Sequence, residues 1–410
     1  NWRLRGKDGI KEKKYDTQKK RPTLKRRFLM SIILHEIWHN YDHLANLIAC
    51  LEEVTDPRIN RCKKHELVVI LLIAILAIFS GAKNWVHVVR FAHDHQQWLH
   101  DKIWLPNGIP SHDTFHRVFL LLNPKELRDW LLLWLEVALH DNSDHIAIDG
   151  KVIEAWSSKN PFTLINAFSP SSKIVLEQAR VPDGNNELTG MDRVLDTLNL
   201  KGKVITIDAM GTRKLFVKKI ITRGGNYILP VKLNNRLLCE DINLFLHTLA
   251  QGEHEEIAYK YHETIDYKHG RKETRKCYST EYIDWIYQKK EWANLKSITL
   301  IESKVENKGT CTNNRRLFIS SLPADPKRIL GYVRAHWSIE NHLHRSLDVN
   351  FNDDQRSLRK GHGAQNFNFL SAFVNSLLTR KPSCFSLENK LRRGNSDPNF
   401  ILDTLMNPGF

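Results

Sequence analysis

At Asp144 the hydrophobic period of this 410-residue chain switches from helical to strand-like, and the order that follows limits the fold more than any other feature. Strand-like runs occupy 145–153, 163–168 and 173–180. A helical pattern covers 187–198, and strand 203–208, helix 211–223 and strand 226–231 complete the series. Short connections let the first three strands pair as an antiparallel meander. The next two need helical crossovers, so they should lie parallel, with helices on both faces of one mixed α/β sheet.

The flanking segments read differently. Residues 30–141 are helical throughout, beginning with a stripe of Leu34, Ile37, Tyr41, Leu44, Ile48 and Leu51 at alternating steps of three and four. The run 67–79 is the most apolar. It falls short of the roughly 20 residues a bilayer span requires, and reads as a buried core helix. Alternating apolar and polar residues across 232–325, with a hairpin turn at His269-Gly270, read as a β-rich insertion. A helical pattern runs through 327–347, and a last helix through 365–378. The organisation expected is a basic arm at 1–29 without fold, an all-helical N-terminal domain at 30–141, and core segments at 142–231 and 326–382 around the insertion. A mixed tail at 383–410 completes it. Net charge is +15, of which +9 lies in residues 1–29, and such a balance favours a polyanionic partner. Six scattered cysteines with no Cys-x-x-Cys pair read as reduced thiols of a cytoplasmic protein.

Two acids close apolar strand runs, Asp149 in His145-Ile146-Ala147-Ile148-Asp149-Gly150 and Asp208 in Val204-Ile205-Thr206-Ile207-Asp208. Ligands of open α/β sheets gather at strand carboxyl ends. Two acids on neighbouring parallel strands can share a hard cation such as Mg²⁺. A pair of such ions about 4 Å apart can activate water and stabilise the leaving oxygen of a phosphodiester. Either acid alone reads better as a turn cap, but both together, on this strand order, favour the shared cation. In His336-Trp337-Ser338-Ile339-Glu340-Asn341, spacing leaves Glu340 open between a third metal acid and part of a polar helix stripe with His336, His344 and Asp348.

The segments 146–151, 206–211 and 336–344, with Leu347-Asp348-Val349-Asn350-Phe351, closely resemble DDE transposases of bacterial insertion sequences, within the H-repeat-associated group. The resemblance extends over nearly everything after Met30. It implies a ribonuclease H-like core with a β insertion before the catalytic glutamate. It also implies Asp149, Asp208 and Glu340 as the catalytic, metal-binding triad for Mg²⁺ or Mn²⁺, two ions per site. The reaction implied is cleavage of double-stranded DNA at inverted-repeat ends, then transfer of the freed 3′-hydroxyl into target DNA. A homodimer or larger assembly at the bacterial nucleoid, with no membrane, is the setting expected.

Candidate DNA contacts are Lys151, Lys232, Asn234, Arg334, His336, Trp337, Asn341, His344 and Arg359, with Trp337 suited to stacking on an unpaired base. The chain departs from the family pattern at Glu154, where an Arg is usual, at Ser357, and at Asp353-Asp354, where Glu-Asp is usual. These departures leave open a catalytically weak or inactive DNA-binding relative, and the residues alone also admit a ribonuclease H-like endonuclease. A more remote reading is a zinc metalloprotease through His35, Glu36 and His39, which match His-Glu-x-x-His.

Overall fold

Nine strands form one sheet in the order β3-β2-β1-β4-β5-β9-β8-β7-β6 in a computed structural model. It describes residues 43–408 except 60, 62, 104, 140–142, 154–160, 251–257, 269, 308–309 and 354–360. Strands β1 (His145–Ile153), β2 (Phe162–Ser169) and β3 (Ile174–Arg180) make the expected antiparallel meander. β4 (Val204–Ile207) and β5 (Asn226–Val231) then add to β1 in parallel. This is the ribonuclease H-like arrangement that the resemblance implies.

The helical region folds as α1 (His43–Glu52), α2 (Leu67–Phe79), α3 (Trp85–Asp94), α4 (Gln96–Lys102), α5 (His112–Leu121) and α6 (Pro124–Leu139). Ser111 caps α5 by accepting from the Thr114 amide. α2 buries almost every side chain, as its unbroken apolar sequence demands. None of the described helices is long and apolar enough to cross a membrane.

The two sheet faces have separate cores. On one, α7 (Glu187–Thr197), α8 (Lys214–Thr222) and α9 (Arg236–Ala250) cover the strands with Met191, Val194, Phe216, Ile220, Ile242 and Leu246. Gly190 lets α7 lie close, since a Cβ there would come within 2.5 Å of Ile165. On the other, α10 (Pro326–His336) packs Ile329, Leu330 and Val333 over Val204, Ile228, Cys277 and Phe318. Asp325 caps α10 by accepting from the Arg328 amide, and Pro326 supplies its first turn.

Several expectations change in detail. Residues 232–320 open with the long helix α9 before β6 (Lys260–Lys268), β7 (Arg271–Thr280), β8 (Ser297–Asn307) and β9 (Thr310–Ser320). β9 pairs with β5, so these strands extend the sheet itself. The expected helix at 211–223 begins as a 3₁₀ turn, Ala209–Gly211, and becomes α8 only at Lys214. The continuous helix expected at 327–347 is broken: α10 ends at His336, a π-helical turn spans Glu340–His344, and α11 is Arg345–Phe351. α12 (Gly363–Arg380) is buried almost throughout and joins β3 to the N-terminal helices. The tail is two helices, α13 (Leu387–Ser396) and α14 (Pro398–Met406), started by caps at Ser386 and Asp397. They pack on α1, α2 and α12. The basic arm and the His35, Glu36 and His39 motif lie outside the described residues.

Candidate metal and nucleic-acid site

β1 and β4 run side by side, with Ile148 paired to Ile207, the last residue of β4, in parallel register. Asp149 is the next residue within β1, which continues to Ile153, and Asp208 directly follows β4, so both acids stand at the same level of the sheet. Asp149 is half-buried, and its Oδ1 accepts from the Gly150 amide at 2.9 Å. Asp208 Oδ1 accepts from the Gly211 amide at 3.2 Å and caps the 3₁₀ turn, so the turn-capping role is realised here alongside any other. Gly211 admits no side chain, since a Cβ would come within 2.2 Å of Ile207.

Glu340 reaches these strands from the far side of the sequence. α10 lies across β1, β4 and β5, and its last residue, His336, meets Thr206 near the end of β4. The chain then widens into the π-helical turn at Glu340–His344, with the Arg345 amide bonded to the Glu340 carbonyl. Such turns recur at functional sites because they add a residue without ending the helix. Asp149, Glu340 and His344 each offer a ligand atom within 4.8 Å of the others. His344 Nδ1 is 3.1 Å from Glu340 Oε2 and 3.8 Å from Asp149 Oδ2. Asp208 stands outside that group but acts on it electrostatically.

Burial pushes the Asp149 carboxyl up to about 6, with the charges of Asp208 and Glu340 adding to the rise and His344 opposing it. Glu340 goes the other way, held below the usual carboxylate range chiefly by its hydrogen bond with His344. A fourth acid, Glu187, borders the site. Its carboxylate lies 3.0 Å from where a Cβ on Gly150 would be, and burial together with Asp208 raises its pKa. Spacing gives Glu187 no mark as a metal acid, although it opens a helix just beyond the meander. Half-buried oxygen donors that raise one another's pKa suit a hard divalent cation, which relieves their repulsion.

The candidate DNA contacts divide into two sets. Lys232, Asn234, Trp337 and Asn341 are exposed around the acids. Asn234 Nδ2 donates to the Ala209 carbonyl at 2.6 Å, tying its loop to the turn after Asp208. The Arg316 guanidinium sits 5.0 Å over the Trp337 ring. Arg334 is partly open but pairs with Asp266 at 2.9 Å. The other set is internal. Lys151 is 7% exposed, and its ammonium donates to Asp348, binding β1 to α11 rather than facing a phosphate. His336 donates to or accepts from Thr206 Oγ1 at 2.9 Å, and the same hydroxyl meets His145 Nε2 at 2.8 Å. Burial holds His336 down to about 4 and His145 to about 3. His344 is only 3% exposed. Arg359, Glu154 and Ser357 lie outside the described residues.

Comparison with known proteins shows the family. Residues 141–377 match the model of the transposase DDE domain, and residues 48–135 match that of the DDE_Tnp_1-associated domain. Over 382 residues the chain is 31% identical to the "H repeat-associated putative transposase YhhI" of Escherichia coli strain K12, covering 89% of this chain and 99% of that protein. An "Uncharacterized protein in dhlA 3'region" of Xanthobacter autotrophicus is 36% identical over 289 residues, 69% of this chain and 97% of the relative. A short stretch of 54 residues, 13% of this chain and 64% of the relative, is 43% identical to the "Inactive transposase YbfQ" of Escherichia coli strain K12. With the domain match spanning more than half its length and both acid-bearing strands inside it, the chain belongs to the DDE transposase family.

Proposed function

We propose that this protein cuts double-stranded DNA at the inverted-repeat ends of its element and joins the freed 3′-hydroxyl to target DNA. The observation that carries the reading is the meeting of Glu340 with Asp149, level in the sheet with Asp208, across about half the chain. Asp149, Asp208 and Glu340 would hold Mg²⁺ or Mn²⁺, two ions per site. Bound there, the cations supply a lowered pKa for the attacking hydroxyl and stabilise charge on the departing oxygen. The chain's own residues do the rest. Asp149 and Asp208 are fixed by backbone amides, and His344 restrains Glu340. Exposed Lys232 and Asn234 border the acids and meet DNA backbone, while Trp337 under Arg316 offers a face for an unpaired base. The helical region and the basic arm add phosphate contacts, and pairing two ends calls for a homodimer or larger assembly at the nucleoid.

The test offers labelled DNA from the element's ends with Mg²⁺ or Mn²⁺. Nicking at the repeat boundary is expected, reduced by at least about 10³-fold in Asp149→Ala, Asp208→Ala or Glu340→Ala. Cleavage that survives Glu340→Ala sinks the triad. A second reading, a DNA-binding relative that does not cut, is favoured by Lys151, which is turned inward to Asp348. Folded protein that binds the ends and leaves them intact would establish it.

A further inference from the structure

His344 is the inner neighbour of both Glu340 and Asp149, and a string of buried polar side chains reaches it from behind. Asn166 Nδ2 lies 3.3 Å from His344 Nε2. Asn166 Oδ1 accepts from Gln178 Nε2 at 2.9 Å, and the same Gln178 nitrogen donates to Asn368 Oδ1 at 2.8 Å. Asn368 Nδ2 donates to the Asp353 carboxylate. These four residues come from β2, β3, α12 and the segment after α11, and each is 1–2% exposed.

The string has a direction. An ionised carboxylate only accepts hydrogen bonds. Asp353 therefore takes the amide nitrogen of Asn368, which turns the Asn368 oxygen toward Gln178. Gln178 gives its two hydrogens to Asn368 and Asn166, which turns the Asn166 nitrogen toward His344. A donor facing Nε2 requires a lone pair there, so the ring carries its proton on Nδ1. Reversing one amide would set like groups face to face out of reach of water, which buried networks avoid. The Nδ1 proton points at Glu340 Oε2. A nitrogen bearing that proton has no lone pair for a cation, even though its distance from both acids suits one.

We propose that His344 is a positioning residue, held as the Nδ1–H tautomer by the Asp353–Asn368–Gln178–Asn166 relay, which orients Glu340 toward Asp149 and does not itself ligate the cation. This rests on the reading of Glu340 and Asp149 as cation ligands. It gives Asp353, a departure from the family pattern, and three uncharged residues inside the core a role in tuning the site. Carboxylates and histidines beside metal ligands commonly depend on such outer partners.

The experiment is ¹⁵N NMR of the imidazoles in the full chain labelled at histidine, without metal and then with saturating Mg²⁺, with His344 assigned by its loss in His344→Gln. The proton is expected on Nδ1 in both conditions. Gln178→Glu replaces a donor by an acceptor of the same shape and should move the proton to Nε2. Asn166→Asp, which sets an acceptor directly at Nε2, should protonate that nitrogen and serves if the first variant does not fold. In cleavage assays His344→Ala should lower kcat by about 10–100-fold at unchanged KM for DNA. His344→Gln, which keeps an N–H donor, should restore most of it. An Nε2–H ring in the metal-free protein, or loss of the Nδ1 proton when Mg²⁺ binds, overturns the proposal whatever the assay shows. Cleavage that survives Asp149→Ala would instead overturn the metal-site reading while leaving the tautomer measurement intact.

Discussion

Asp149 keeps its proton up to about pH 6 in the folded chain, against an ordinary value of 3.8, so between those values the folded state binds protons that the unfolded state has released. Stability from this group is therefore greatest below about pH 4, falls as pH rises through 6, and stays reduced above it. His145 and His336, both held well below 6.5, act oppositely and lose stability as pH falls from 6.5 toward 4. A cation that binds the ionised acids removes the Asp149 penalty. Thermal unfolding should show Mg²⁺ raising Tm by several degrees at pH 8 and hardly at pH 5. Asp149→Asn should raise the metal-free Tm at pH 8 and abolish the Mg²⁺ effect. An equal Mg²⁺ effect at both pH values would contradict this account. The positions of the acids are legible in sequence because each ends an apolar run. Their partners are not, since a hydrogen bond between residues 166 and 344 leaves no spacing signal. What can be seen is that Asn166 and Gln178 interrupt strands that are otherwise mostly apolar and buried, and an uncharged polar residue in such a place needs a partner.

At the scale of elements, the turn bearing Glu340 is held at both ends. Before it, Thr206 joins His336 and His145, and after it Lys151 binds Asp348. Lys151 has a side chain only 6% exposed, whereas that of Asp348 is 37% exposed. Loss of the two partners should therefore be unequal. Asp348→Ala leaves a buried ammonium without its anion and should cost about 3–5 kcal/mol in urea unfolding. Lys151→Met leaves a carboxylate that water can reach and should cost clearly less. The reverse order would show that the ammonium is solvated by another route. The four-residue steps from His336 to Asp348 do suggest a shared helix face, yet the π-helical turn divides it. His336 turns to the strands, His344 to the acids, and Asp348 to Lys151. Helix-breaking residues are absent between 336 and 348, so local propensity carries no sign of the break.

Across the whole molecule, the order of the first five strands follows from connection length and hydrophobic period, and both are readable from the chain. The long helix α9 and the folded tail are harder to see. In the tail the apolar pattern is short, and only the caps at Ser386 and Asp397 with Pro398 mark the starts. α13 and α14 nevertheless close over α2: a Cβ on Gly394 would come within 2.6 Å of the Phe79 carbonyl, and Ser80 Oγ donates to the Gly394 carbonyl at 3.2 Å. Truncation after Ser383 should expose apolar surface of α2 and α12, seen as increased dye binding and loss of the monodisperse species on gel filtration. Unchanged behaviour would mean that the two helices are only appended.

The long return of the chain through β6–β9 has a consequence for synthesis. Domains form as the polypeptide emerges, from the N-terminus onward. Asp149 and Asp208 leave the ribosome well before Glu340 and His344, which come only after β9, the strand paired with β5, has emerged. Until then the cluster around Asp149 is incomplete. A nascent or prematurely terminated chain thus carries the helical region and two of the acids without Glu340 and His344, and under the proposed function any cutting would wait for the last quarter of the protein.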